Sequence, residues 1–145
     1  MAALMEAANP LPRWQRLGLY TSIATLTASG LVWWVVHYTW GAGTGELPHP
    51  AELWMVRVHG AAAMTGLFFV GVLGSVHVPR GWRVARQRVT GVTLLAGLGV
   101  LALSGYALYY FAPETLRPSI GNGHTVTGIA VAALLVWHSR IAQRR

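Results

Sequence analysis

The chain has 145 residues, no cysteine, and a net charge of +7 carried by 11 basic side chains against 4 acidic ones. Only 10% of the residues are charged and 54% are hydrophobic, whereas a soluble domain carries about 25% charged residues. Without cysteine there are no disulfides, no iron–sulfur cluster and no haem attached through a C-x-x-C-H motif.

Residues 1–12 read as a short tail at the membrane surface and not as a secretory signal. The first arginines, Arg13 and Arg16, follow Pro10 and Pro12 and directly precede the first long apolar span, and no small-residue cleavage site follows a short apolar core. Four stretches, 17–45, 58–79, 89–113 and 118–139, hold no Asp, Glu, Lys or Arg. Each is long enough for a spanning helix, which needs about 20 mainly apolar residues.

The first helix is expected over 17–40 and ends in Trp33, Trp34, His37, Tyr38 and Trp40, the aromatic mixture that favours a membrane–water interface. A Gly- and Pro-rich loop follows. The second helix is expected over 53–78, stopped by Pro79-Arg80-Gly81; the third over 89–111, ending near Tyr106, Tyr109 and Tyr110; the fourth over 119–141, after Pro118. Short polar turns join them. The expected fold class is therefore all-α, a single integral-membrane domain over 1–145 forming an antiparallel four-helix bundle.

The positive charge does not point to nucleic acid. Arg13, Arg16, Arg80, Arg83, Arg86, Arg88, Arg140, Arg144 and Arg145 flank helix ends on one side, and only Arg57 and Arg117 lie on the other. Positive residues concentrate on the cytoplasmic side, so both termini and the loop around 79–88 are expected in the cytoplasm of a bacterial inner-membrane protein. Glu46, Glu52 and Glu114 make the opposite face slightly acidic.

Glycines recur within the helices: Gly60, Gly66, Gly71 and Gly74 in the second, Gly91, Gly97, Gly99 and Gly105 in the third, Gly128 in the fourth. Close helix packing explains any one of them; room for a flat cofactor is the alternative. The row His59, Ala63, Gly66, Val70, Gly74, His77 follows one face of the second helix and suits the alternative.

The histidines bear on that choice. His59 and His77 stand eighteen residues apart, five full turns and roughly 27 Å along one face. His124 and His138 stand fourteen apart, about 40° off a common face and roughly 21 Å. Antiparallel topology pairs His59 with His124 near the outer ends and His77 with His138 near the inner ends. A lone intramembrane histidine is as well explained by a hydrogen bond to a neighbouring helix; four in two matched layers favour ligation. Two facing imidazoles are the axial set of a bis-histidine haem, which here is non-covalent and b-type. Zinc competes poorly, because it wants three or four ligands and each layer offers two.

In these features the chain resembles the four-helix di-haem core of membrane b-type cytochromes: the cytochrome b561 group and the related b subunits of hydrogenases and formate dehydrogenases. In the cytochrome b of quinol-oxidising complexes, the second and fourth helices each supply two ligands about fourteen residues apart. His124 and His138 match that spacing, and His59 and His77 are four residues longer. In hydrogenase-type subunits the first helix also supplies a ligand, a role open to His37. The resemblance implies two haem b groups, with a membrane quinone or quinol and a redox subunit or soluble cytochrome as partners. Arg57, Arg117, Arg80 and Arg83 are candidates for pairing with haem propionates, since arginine binds carboxylates bidentately. Positive-inside placement explains Arg80 and Arg83 equally well, and His49, in a Pro-flanked loop, is expected to be solvated. The leading expectation is electron relay across the membrane. A self-contained quinone-linked oxidoreductase, such as the superoxide oxidase that some bacterial b561 relatives resemble, is the alternative; a cofactor-free scaffold or small transporter is the third. The spans carry no ionisable Asp, Glu, Lys or Arg, against ion-coupled transport.

Overall fold

The computed structural model describes residues 12–83 and 87–143. The expected tail, save Pro12, lies outside them, as do Arg86, Arg144 and Arg145 of the arginine asymmetry. The described residues form four α-helices, α1 (Arg13–Trp40), α2 (Pro50–Arg83), α3 (Arg88–Tyr110) and α4 (Arg117–Gln143), with one 3-10 turn at Ala42–Thr44. All four are long and apolar enough to cross a membrane. They divide into two units, one holding α1 and α2 and the other α3 and α4.

In the first unit α1 and α2 form an antiparallel hairpin. As residue numbers rise along α1 their partners fall along α2: Gly18 lies against Phe69, Gly30 against His59, and His37 against Glu52. The packing relies on small residues. A Cβ on Gly66 would sit 3.6 Å from the Cβ of Ser22, ordinary contact, so the glycine is used for helix packing. The ring of Phe69 occupies the space where a side chain on Gly18 would go.

The ends of α2 differ from the sequence expectation for identifiable reasons. The helix starts at Pro50, three residues early, because His49-Pro50-Ala51-Glu52 is a helix-start signal. Proline at the first helical position lacks only a donor that has no helical acceptor there. The Glu52 carboxylate reaches back to accept the His49 N–H at 2.9 Å, the reciprocal half of a capping box. In place of the usual hydroxyl, His49 Nδ1 accepts the Ala51 N–H at 3.2 Å. His49 is exposed, as expected, but it is also a helix cap. At the other end Pro79 does not stop the helix, which continues to Arg83. Proline deprives the Ser75 carbonyl of its usual partner, a small cost so near a helix end, where Ser75 is exposed.

The connection from α1 closes through Gly45, whose φ of +87° is in the left-handed region that a Cβ disfavours. In the second unit α3 and α4 form another antiparallel hairpin. Arg117 at the start of α4 reaches back to donate to the carbonyls of Leu108 at 2.8 Å and Ala112 at 3.1 Å. It thereby satisfies acceptors at the C-terminal end of α3, where a positive charge is favourable. This position accounts for one of the two arginines that depart from the arginine asymmetry.

Few side chains are buried: Val36, Ala62, Leu94, Ala112 and Val131 among apolar residues, Ser22, Ser29 and Glu52 among polar ones. Leu31, Val35, Leu67, Phe68, Val100, Leu103, Val126 and Ile129 are exposed along the helix middles. Within the second hairpin α3 and α4 meet tightly where glycine allows it. A Cβ on Gly97 would lie 2.6 Å from Cγ2 of the buried Val131, whereas one on Gly99 meets nothing within 4 Å. Gly97→Ala is therefore expected to destabilise the chain by about 1–3 kcal/mol, the usual effect of overpacking. Gly99→Ala should be neutral or slightly stabilising, since alanine favours helix. Thermal unfolding midpoints of both variants in detergent check this; equal midpoints would contradict the packing at Gly97.

Candidate functional site

Three of the four candidate ligands have the same local surroundings. His59 on α2 lies against α1, where Ser29 Oγ is 3.1 Å from its Nδ1. His124 on α4 lies against α3, where Ser104 Oγ is 2.8 Å from its Nδ1. His138, also on α4, has Thr90 Oγ1 of α3 at 2.8 Å from Nδ1. All three rings are half-buried.

The residue after each hydroxyl is glycine. A Cβ on Gly30 would stand 3.4 Å from Cε1 of His59, one on Gly105 3.3 Å from Cε1 of His124, and one on Gly91 3.9 Å from Cε1 of His138. The missing side chain lets each imidazole lie close to the neighbouring backbone, with the hydroxyl beside it. Both contacts of the second hairpin obey one antiparallel register: Ser104 and Thr90 are fourteen apart, as are His124 and His138.

His77 is different. It sits on α2 two residues before Pro79 and is exposed, and among the described residues none hydrogen-bonds its ring. Near it Ser75, Pro79, Arg80 and Arg83 line a shallow, open concavity of about 290 Å³. The two inner arginines of the sequence reading thus share one concave surface at the end of α2.

His37 belongs to another arrangement. Its Nδ1 is 2.7 Å from Glu52 Oε2, and its ring stacks on Trp33 with centroids 4.6 Å apart. Glu52 Oε1 accepts the N–H groups of Ala42 at 3.0 Å and His49 at 2.9 Å. Gly41 lies directly against the same carboxylate, and a Cβ on Gly43 would come within 3.0 Å of His37 Nε2. His37 is therefore built into the connection between α1 and α2. Glu52, passed over in the sequence as one of several outer acidic residues, organises that connection; the proline and glutamate of His49-Pro50-Ala51-Glu52 were the signal that could have found it.

Of the outer arginines, Arg57 lies over the Trp54 ring at 5.2 Å, a cation–π contact on the exposed side of α2, and Arg117 holds the carbonyls at the end of α3. Among the described residues no group of three or more His, Cys, Asp or Glu could hold a metal ion. Comparisons with protein-family models, curated proteins and solved structures return no match.

Proposed function

We propose that this chain is an integral-membrane di-haem cytochrome of b type that relays electrons across the bilayer. The observation that carries the reading is the placement of two histidines on one helix of each hairpin, at matching distances from the helix ends. His59 lies nine residues after the start of α2 and His124 seven after the start of α4; His77 lies six before the end of α2 and His138 five before the end of α4.

If the hairpins assemble as an antiparallel bundle, His59 would pair with His124 and His77 with His138. Each pair would hold one non-covalent haem, which supplies a one-electron couple when bound. The exposed leucines, valines and phenylalanines along the helix middles suit hydrocarbon around the bundle. The arginine asymmetry orients it with both termini in the cytoplasm.

In this reading Arg80 and Arg83, which share a concavity, pair with inner propionates, and Arg57 with outer ones. Arg117 is assigned to the α3–α4 turn instead. A membrane quinone is the small-molecule partner and a redox subunit or soluble cytochrome the protein partner; the short connections leave little room for a catalytic domain.

Pyridine haemochrome analysis of the purified protein tests the reading. Two b-type haems per chain are expected, with a reduced-minus-oxidised spectrum typical of low-spin bis-histidine iron. Haem-free protein, or covalently bound haem, would overturn it.

A further inference from the structure

Each of the three hydroxyls beside a histidine has a second neighbour, and that neighbour bears on which ring nitrogen carries the hydrogen. Ser29 Oγ donates to the Thr25 carbonyl at 2.6 Å, Ser104 Oγ to the Val100 carbonyl at 2.7 Å, and Thr90 Oγ1 to the Gln87 carbonyl at 3.1 Å. A hydroxyl has one proton and two lone pairs. With the proton directed to the carbonyl of its own helix, the oxygen meets Nδ1 as an acceptor. The ring must then carry its hydrogen on Nδ1, and the lone pair is on Nε2.

We propose that the dipeptides Ser29-Gly30, Thr90-Gly91 and Ser104-Gly105 are histidine clamps, which fix His59, His138 and His124 as Nδ1–H tautomers with Nε2 as the ligating nitrogen. The proposal rests on the di-haem reading for what is ligated, and on hairpin geometry for how the rings are held. The hydroxyl fixes the rotation and tautomer of the ring and, by accepting from Nδ1–H, makes Nε2 a stronger donor, as outer partners of metal-bound histidine do. The glycine supplies the space. Ser29, Thr90 and Ser104 are thus positioning residues that act through the imidazole.

The register explains why His77 stands apart. Ser29 with His59 and Ser22 with Gly66 share one index sum, 29 + 59 = 22 + 66 = 88. That register runs out at Pro12, the first described residue, before it reaches His77, so no described residue of α1 stands opposite it. On the di-haem reading, the outer pair would consist of two clamped histidines and the inner pair of clamped His138 and unclamped His77. On that reading the inner haem would be the one at which an added ligand such as imidazole displaces a histidine, and His77 the histidine displaced.

The test uses purified full-length protein with 15N-labelled histidine, reduced with dithionite so that low-spin iron is diamagnetic. Three slowly exchanging Nδ1–H signals are expected from His59, His124 and His138, apart from that of His37, whose Nδ1–H donates to the Glu52 carboxylate. Ser104→Ala should speed exchange of the His124 signal roughly tenfold, as expected for loss of one hydrogen bond, and raise the midpoint potential of one haem only. Ser104→Thr should restore both. Ser29→Ala should act on His59, and Thr90→Ala, with Thr90→Ser as its rescue, on His138. Titrated imidazole should convert one haem of the wild type before the other, and conversion of both together would overturn the assignment of His77 as the unclamped ligand. Unchanged exchange and potentials in all three alanine variants would overturn the clamps. Three Nδ1–H signals in a protein that holds no haem would leave the clamps standing and sink the di-haem reading instead.

Discussion

Replacing His124 with alanine is expected to halve the haem content, leaving one b-type haem per chain with its spectrum intact. His124 is held at Nδ1 by Ser104 and lies against Gly105, so its ring is already oriented before any ligand arrives. If His124 is an axial ligand as proposed, alanine would remove a bond that no neighbour on α4 replaces, because His138 is fourteen residues, about four turns, away. His59→Ala should give the same outcome, since it removes the other half of the outer pair. His37→Ala should keep both haems. Its Nδ1 is bound to Glu52, Gly43 closes on its Nε2 side, and Trp33 covers its face. Haem-to-protein ratios and low-temperature spectra of the three variants decide the matter. Loss of a haem in His37→Ala together with two haems in His59→Ala would make His37 and His124 the outer pair.

The second large effect is one of stability. Glu52 is 6% exposed, and its carboxylate serves two backbone N–H groups and the His37 ring. Bonds to a charged acceptor are individually worth about 1.5–3 kcal/mol. Removing the acceptor leaves donors in a confined space, so Glu52→Ala is expected to cost about 3–5 kcal/mol, in the range for breaking a buried ionic contact. Glu52→Gln, which keeps one acceptor oxygen, should cost less. The Trp33–His37 stack offers a local probe, and thermal unfolding followed by tryptophan fluorescence should show a lower midpoint and a less cooperative transition. A midpoint within a degree of wild type would show that the connection between α1 and α2 is held by other means.

The four helices were legible in the sequence because charge-free stretches of membrane-spanning length are a coarse signal that local detail does not disturb. Helix ends were less so. Pro79 reads as a stop only if proline is taken alone; near a helix terminus its missing N–H matters little. Arg117 looked anomalous by charge rule and is explained by the carbonyls of Leu108 and Ala112, which only the turn geometry brings to it. The histidines were visible, but their hydroxyl partners were not. Ser29, Thr90 and Ser104 are ordinary residues in a helix until a register is known, and the register follows from which small residues meet. Gly30 and Gly105 have the same history. Glycine reads as packing or cofactor space, and at these two positions it is space for an imidazole.

The shared spacing in the second hairpin has an evolutionary consequence. Ser104 with His124 and Thr90 with His138 both satisfy 104 + 124 = 90 + 138 = 228. The two contacts are phased along a common ruler. One residue inserted between Thr90 and Ser104 turns everything beyond it by about 100°, which breaks one contact while the other persists. Only a matching insertion in α4 would restore both. The interval of fourteen is therefore free to change only in both helices at once, whereas among the described residues the eighteen between His59 and His77 are matched to α1 at the His59 end alone.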